Sequence, residues 1–212
     1  EAHQRVVNIV NNLVGHTQRP DLKSTVFLLD DPEANAFTIP GGYIYLTKGL
    51  LEAVESEAQL AGVIAHEMAH NCTYDGLDQL RRARQLTLAT AVALIVAIAS
   101  GRGEETAYGV LTAGQIMTRG ILSKYSLEIE SRADRNGISY LLASDYDPVG
   151  LLTFMERLAR KERQRPRRDP GIFGTHPFST TRVMDIIDLL QEADVEMNRR
   201  AVTKWDPPVV EA

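Results

Sequence analysis

Val6, Ile9, Val10, Leu13 and Val14 recur at helical spacing near the start of the chain and predict an amphipathic opening helix. The pattern then changes to short β-rich runs. Ser24–Asp30 ("STVFLLD") reads as a strand. Asn35–Ile39 and Tyr43–Thr47 read as two more, flanking Pro40-Gly41-Gly42 as a hairpin with turn residues at its centre. No further run reads as a strand, so the expected sheet is small.

From Lys48 onward the spacing is helical. Ser56 with Gln59 three residues later forms a capping-box pattern and opens a helix. A long helix is predicted from about Asp75 to Ser100, broken by "SGRG", and another helical stretch from about Glu104 to Ala143 with a break near Ser123. Asp147-Pro148 supplies an N-cap and first-turn pair for a helix ending near Gln164, in which Leu151, Phe154, Met155 and Leu158 fall at core spacing. "RQRPRRDPGIFGTHP" reads as a loop, Ser179 to Asn198 as a last helix, and residues 203–212 as an extended tail. The expected fold class is therefore α+β, mainly α, in one domain over residues 1–212.

The most apolar run, Leu86 to Ser100, falls short of the roughly 20 residues needed to span a bilayer and contains threonines. It is expected to be a buried core helix. A membrane-touching surface, made by this run and the seven basic residues between Arg157 and Arg168, is the alternative. A net charge of −5 argues against nucleic acid as a partner. Cys72 is the only cysteine, so no internal disulfide is expected and the redox compartment stays open; its place two residues after His70 reads as a quiet buried thiol. The sequence opens on Glu1 rather than methionine, which leaves room for a leader or lipid anchor ahead of it. His3 and His16 read as surface residues.

The chemistry concentrates in "AGVIAHEMAH", residues 61–70. On a helix, His66 and His70 lie one turn apart on one face and can aim two imidazoles at one ion. H-E-x-x-H supplies zinc in this way, and Glu67, about 100° round the helix, can flank the ion as a base without binding it. A catalytic zinc needs a third protein ligand, for which Glu130 in "SLEIESRADRNG" is the candidate. Glu130 and Asp134 share a helical face, so one carboxylate can bind metal while the other accepts the free N–H of a ligand histidine. Ala133 and Gly137 keep that side small enough for another helix to approach. In "THPFSTTR", His176 and Arg182 could stabilise the oxyanion that develops when water attacks a peptide carbonyl.

These pieces together, with "NAFTIPGG" upstream, resemble the zinc metallopeptidases related to HtpX and the CAAX prenyl protease. The likeness spans about Asn35 to Arg182, in family order. It implies a zincin-like domain of the gluzincin type with one zinc per chain, held by His66, His70 and Glu130. Glu67 would be the general base and Asp134 the carboxylate behind a ligand histidine. His176 and Arg182 would meet the substrate or transition state. Asn35, Ala36 and Phe37 would lie on the strand along which an extended peptide pairs, giving broad specificity for unfolded protein segments. His176 has a second expected role, filling zinc's fourth position in a resting enzyme.

HtpX and the prenyl protease carry several membrane spans, and none is read here. The resemblance therefore points to a soluble bacterial branch, exported to the periplasm or cell envelope and acting in protein quality control. The competing expectation is a zinc-stabilised, chaperone-like module that holds protein partners without cleaving them.

Overall fold

The computed structural model describes residues 1–100, 104–123, 125–164, 176 and 179–203. Eight helices are described: α1 (Ala2–Val14), α2 (Lys48–Ala53), α3 (Glu57–Cys72), α4 (Asp75–Ala99), α5 (Glu104–Ser123), α6 (Leu127–Ala143), α7 (Val149–Gln164) and α8 (Thr180–Glu192). One sheet, β1 (Thr25–Leu29), β2 (Ala36–Ile39) and β3 (Tyr43–Thr47), accompanies them. The mainly helical α+β architecture expected from the sequence is the one observed.

The sheet has the order β1-β3-β2. β2 and β3 form the expected antiparallel hairpin, turned by Gly41 and Gly42 at φ 110° and 90°. A Cβ on Gly42 would also lie 2.3 Å from the Lys23 carbonyl oxygen, so the turn needs glycine twice over. The parallel pairing of β1 with β3, which periodicity alone does not reveal, leaves β2 at an edge. Its register stacks Phe27 on Tyr45 and Tyr45 on Phe37, each pair with ring centroids 4.9 Å apart.

α3 is the axis of the fold. Its N-cap, Ser56, accepts from the Gln59 N–H at 3.0 Å, and the Gln59 side chain reaches back to the Glu55 N–H at 2.8 Å. Every residue from Gln59 to Cys72 is buried. A helix enclosed on all sides needs small residues where other backbones cross it, which is why "AGVIAHEMAH" is rich in alanine. At Gly62 a Cβ would come within 2.8 Å of the Leu151 backbone on α7. Gly137 of α6 is placed so that a Cβ would meet the His66 amide nitrogen at 3.2 Å. Ala133 and Gly137 are therefore the surface by which α6 approaches α3. Val6, Ile9, Val10 and Leu13 bury the inner face of α1, each contributing about 2 kcal/mol of transfer free energy. Leu151, Phe154 and Met155 bury that of α7, with Leu158 packed against the same core.

Two expectations differ from the structure. The last helix ends at Glu192, not near Asn198, because Asp194 takes a left-handed conformation (φ 54°) and the Val195 N–H turns back to the Leu190 carbonyl at 2.9 Å. The apolar run Leu86 to Ser100 is not a core helix. α4 packs chiefly against α5, as a two-helix arm, and only 11% of its most apolar stretch is buried. It is also long and apolar enough to cross a membrane by length and composition, where the sequence pattern suggested no span. Apolar composition does not by itself bring burial, and among the described residues no element covers its outer face. The expected break at 101–103, most of the Arg-, Pro- and Gly-rich loop and the tail beyond Thr203 lie outside the described residues.

Candidate metal centre

Four ligand atoms, from His66, His70, Glu130 and His176, lie within 4.8 Å of one another in the buried interior. α3 supplies the two histidines, α6 the glutamate, and His176 enters just ahead of α8. His66 Nε2 and His70 Nε2 are 3.1 Å apart. Glu130 Oε2 is 3.4 Å from the first, and Oε1 is 3.6 Å from the second. His176 Nδ1 is 3.4 Å from His66 Nε2 and 3.0 Å from Glu130 Oε1.

Those spacings fit one small cation. Ligand bonds of about 2.0–2.2 Å in a tetrahedron place the donor atoms roughly 3.3–3.6 Å from each other. The outer nitrogens strengthen the case. His70 Nδ1 is 2.8 Å from Asp75 Oδ2. His66 Nδ1 is 2.9 Å from Asp134 Oδ1, close in distance though off the ideal hydrogen-bond direction. With the ring protons held at Nδ1, both Nε2 atoms present lone pairs to each other and to the Glu130 carboxylate. Three acceptors converging in this way need a positive charge among them.

His66, His70 and Glu130 are each fixed from behind. Asp134 takes a two-pronged contact from Arg182, with Nε at 2.6 Å and Nη2 at 2.8 Å. A third nitrogen of the same guanidinium, Nη1, lies 2.8 Å from Glu130 Oε2. Asp75 accepts from the Thr73 hydroxyl at 2.7 Å and pairs with Arg132. Tyr74, left-handed at φ 60°, reverses the chain between α3 and α4 and brings Asp75 back to His70.

The charges are strongly coupled. Burial works against a charged His66, but the carboxylates of Asp134 and Glu130 prevail and push its pKa up to about 10. His70 is also raised: burial opposes the charge, while Asp75 and Glu130 favour it. Asp134 is held below the ordinary carboxylate range because Arg182 and His66 outweigh its burial. Without a metal ion, the histidine pair is thus a strong proton trap.

Glu67 is 1% exposed, and neither carboxylate oxygen has a hydrogen-bond partner. Its Oε1 stands 3.3 Å from His176 Nε2, outside hydrogen-bonding geometry. A buried carboxylate in this state is uncommon in folded proteins.

The structure therefore brings together His66, Glu67, His70, Glu130, Asp134, His176 and Arg182. Arg182 differs from expectation: its guanidinium, read from the sequence as a contact for an oxyanion, is 2% exposed and turned onto Asp134 and Glu130. Asn35, Ala36 and Phe37 fall on or beside the edge strand β2, with the Asn35 carbonyl already bonded to the Thr47 N–H at 3.1 Å and Ala36 fully buried. Cys72 is buried and outside the ligand cluster, and His3 and His16 are exposed.

Sequence reasoning missed two neighbours. Asp75, five residues after His70, is signalled only by being acidic in the first turn of the next helix. Tyr125 stacks on the His70 ring with centroids 4.3 Å apart, and burial raises its phenol above the ordinary range. Nothing in its local sequence indicates that contact.

Peptidase family M48 matches residues 1–189. The chain is 31% identical over 187 residues to the putative beta-barrel assembly-enhancing protease of Vibrio cholerae, covering 86% of this chain and 38% of that protein. It is 29% identical over 195 residues to the mitochondrial metalloendopeptidase OMA1 of Schizosaccharomyces pombe, covering 90% and 54%. Against the metalloprotease LoiP of Escherichia coli it is 28% identical over 188 residues, covering 89% and 70%. The chain thus spans about half or less of the length of the first two relatives.

Proposed function

The chain belongs to peptidase family M48, and on that premise we propose that it is a zinc-dependent endopeptidase cutting extended or unfolded protein segments. One observation carries the reading: the His66, His70 and Glu130 donors converge at the spacing of a metal's coordination shell, with the unpartnered Glu67 carboxylate beside them. A purely structural zinc site has no use for a buried base, which weighs against a holding module that does not cut.

His66, His70 and Glu130 would hold the ion. Zinc in such a donor set supplies Lewis acidity that polarises a peptide carbonyl and acidifies water. Glu67 takes the proton of the attacking water and passes it to the leaving amine as the C–N bond breaks. Asp134 and Asp75 hold the two imidazoles in the tautomer whose Nε2 faces the ion. Arg182 acts as a positioning residue, fixing Asp134 and Glu130 together. β2 offers a strand edge for an extended peptide at Asn35, Ala36 and Phe37, so recognition would rest on backbone pairing.

His176 supports a second reading. Its Nδ1 lies in the same donor cluster, so in this conformation it would serve as a fourth donor to a bound ion and close the site to water. Within the family, the motifs resemble those of HtpX and the CAAX prenyl protease, and we place the chain in the bacterial branch that lacks their several membrane spans. Relatives named for β-barrel assembly favour protein quality control in a bacterial envelope. The test is digestion of an unfolded protein such as casein, with and without a chelator, alongside the Glu67→Gln variant. Cleavage that persists in both the chelated protein and the variant would end the proposal.

A further inference from the structure

We propose that the α4–α5 arm inserts into the hydrocarbon of a lipid bilayer and seats the metal centre at the membrane surface. The inference concerns a surface that the proposed chemistry does not use, and it stands whether or not the chain cleaves peptides.

The arm is built inside out for water. From Leu86 to Ala99 α4 carries no charged residue, a belt of about 21 Å at 1.5 Å per residue. Thr106 to Thr118 of α5 is likewise free of charge. The seam between the helices is made largely of small residues. Ala83 and Ala97 are buried there, and a Cβ on Gly114 would lie 2.3 Å from a Thr90 side-chain carbon. The large apolar side chains point the other way: Leu88, Val92, Ile95, Ile98 and Ile116 are 58–66% exposed. A soluble helical pair places its large apolar residues between the helices. Small residues at the seam and large ones outside is the arrangement of helices packed in lipid.

Three threonine hydroxyls along the belt fit the same solvent. Thr87, Thr90 and Thr112 donate their hydroxyls to the carbonyls of Ala83, Leu86 and Tyr108, four residues back, at 2.8–2.9 Å. Each hydroxyl is thereby satisfied within its own helix, as hydrocarbon requires. Charge collects at the ends. Arg81, Arg82, Arg84 and Arg119 are exposed at the base, where they match the phosphates of anionic headgroups, and Glu104 and Glu105 stand at the tip. The belt is shorter than a hydrocarbon core of about 30 Å, so the arginine stems extend it by snorkelling and the bilayer thins around it.

The base also sets where the arm holds the body. α4 begins at Asp75, which contacts His70, and Tyr125, two residues after α5, stacks on the same ring. A bilayer taking up the arm would face the metal centre across the first 11 residues of α4, about 16 Å.

The test is flotation of the purified chain with large unilamellar vesicles of phosphatidylethanolamine and phosphatidylglycerol, in low salt and in 0.5 M sodium chloride, where the Debye length falls to about 4 Å. The expected result is co-flotation that survives the salt. Val92→Asp with Ile95→Asp, on the outer face, should reduce it at least tenfold while circular dichroism and zinc content stay unchanged. Three results would overturn the proposal: no flotation, flotation lost in salt (adsorption through the arginines alone), or a lipid-free dimer in sedimentation that the same substitutions dissociate, which would make a second copy the occupant. Zinc content and peptide cleavage are read separately, so failure here leaves the metal centre untouched.

Discussion

His66 Nε2 and His70 Nε2 face each other at 3.1 Å while the opposite nitrogen of each ring lies beside a different carboxylate, Asp134 for one and Asp75 for the other. Two lone pairs at that distance are tolerable only across a cation or a shared proton. The pair is therefore a competition between metal and hydrogen ion, and its behaviour can be measured from either side.

With its pKa pushed up to about 10, His66 holds a proton at neutral pH in the metal-free protein. Zinc uptake must release it. In calorimetric titrations at pH 7, the observed enthalpy should change with the ionisation enthalpy of the buffer, and the slope should give at least one proton released. A slope of zero would contradict the proton trap.

Glu67→Gln should lower cleavage by about 10²–10⁴-fold with zinc content unchanged, since it removes a base and no ligand. Metal analysis of the same preparation separates this outcome from loss of the ion.

Arg182→Met should take the shared guanidinium away from two buried carboxylates and destabilise the protein by about 3–5 kcal/mol. Arg182→Lys tests the positioning role more gently. A point charge cannot hold both Asp134 oxygens and Glu130 at once, so zinc affinity should fall by about 10–100-fold with the fold retained. An unchanged dissociation constant would remove Arg182 from the support of the site.

Acid should weaken the same cluster. The Asp134 pKa is depressed in the folded state from an ordinary 3.8, chiefly by Arg182 acting against burial. Its stabilising contribution is complete above the unfolded value and disappears as pH falls below 3.8 towards the folded value. Denaturant midpoints of the metal-free protein should drop as the pH falls below about 4, and the drop should be smaller in Asp134→Asn.

Gly62→Ala should destabilise more than Gly137→Ala. The first Cβ would press on Leu151 backbone at 2.8 Å, the second would meet the His66 amide nitrogen at 3.2 Å, where a small shift suffices. Losses of roughly 1–3 kcal/mol and under 1.5 kcal/mol are expected from thermal melts.

Most of the helical order and the two helical pairs of the centre could be read from the chain because they rest on local spacing, whereas His176 and Arg182 were tied to them only by resemblance. His66 and His70 at i, i+4, and Glu130 and Asp134 at i, i+4, fix their faces without any knowledge of tertiary structure. What could not be read is what two remote segments do to each other. Arg182 was visible as a cation, but its partners, Asp134 and Glu130, lie about 50 positions away and decide its role. Tyr125 becomes part of the site only by stacking on His70. Leu86 to Ser100 misled for the opposite reason: composition reports which solvent a helix avoids, not which neighbour covers it.

Asp75 is at once the carboxylate behind His70 and the first residue of α4. The same carboxylate also accepts from the Thr73 hydroxyl and pairs with Arg132, so one hydrogen-bonded knot fixes both the start of the arm and the orientation of a ligand ring.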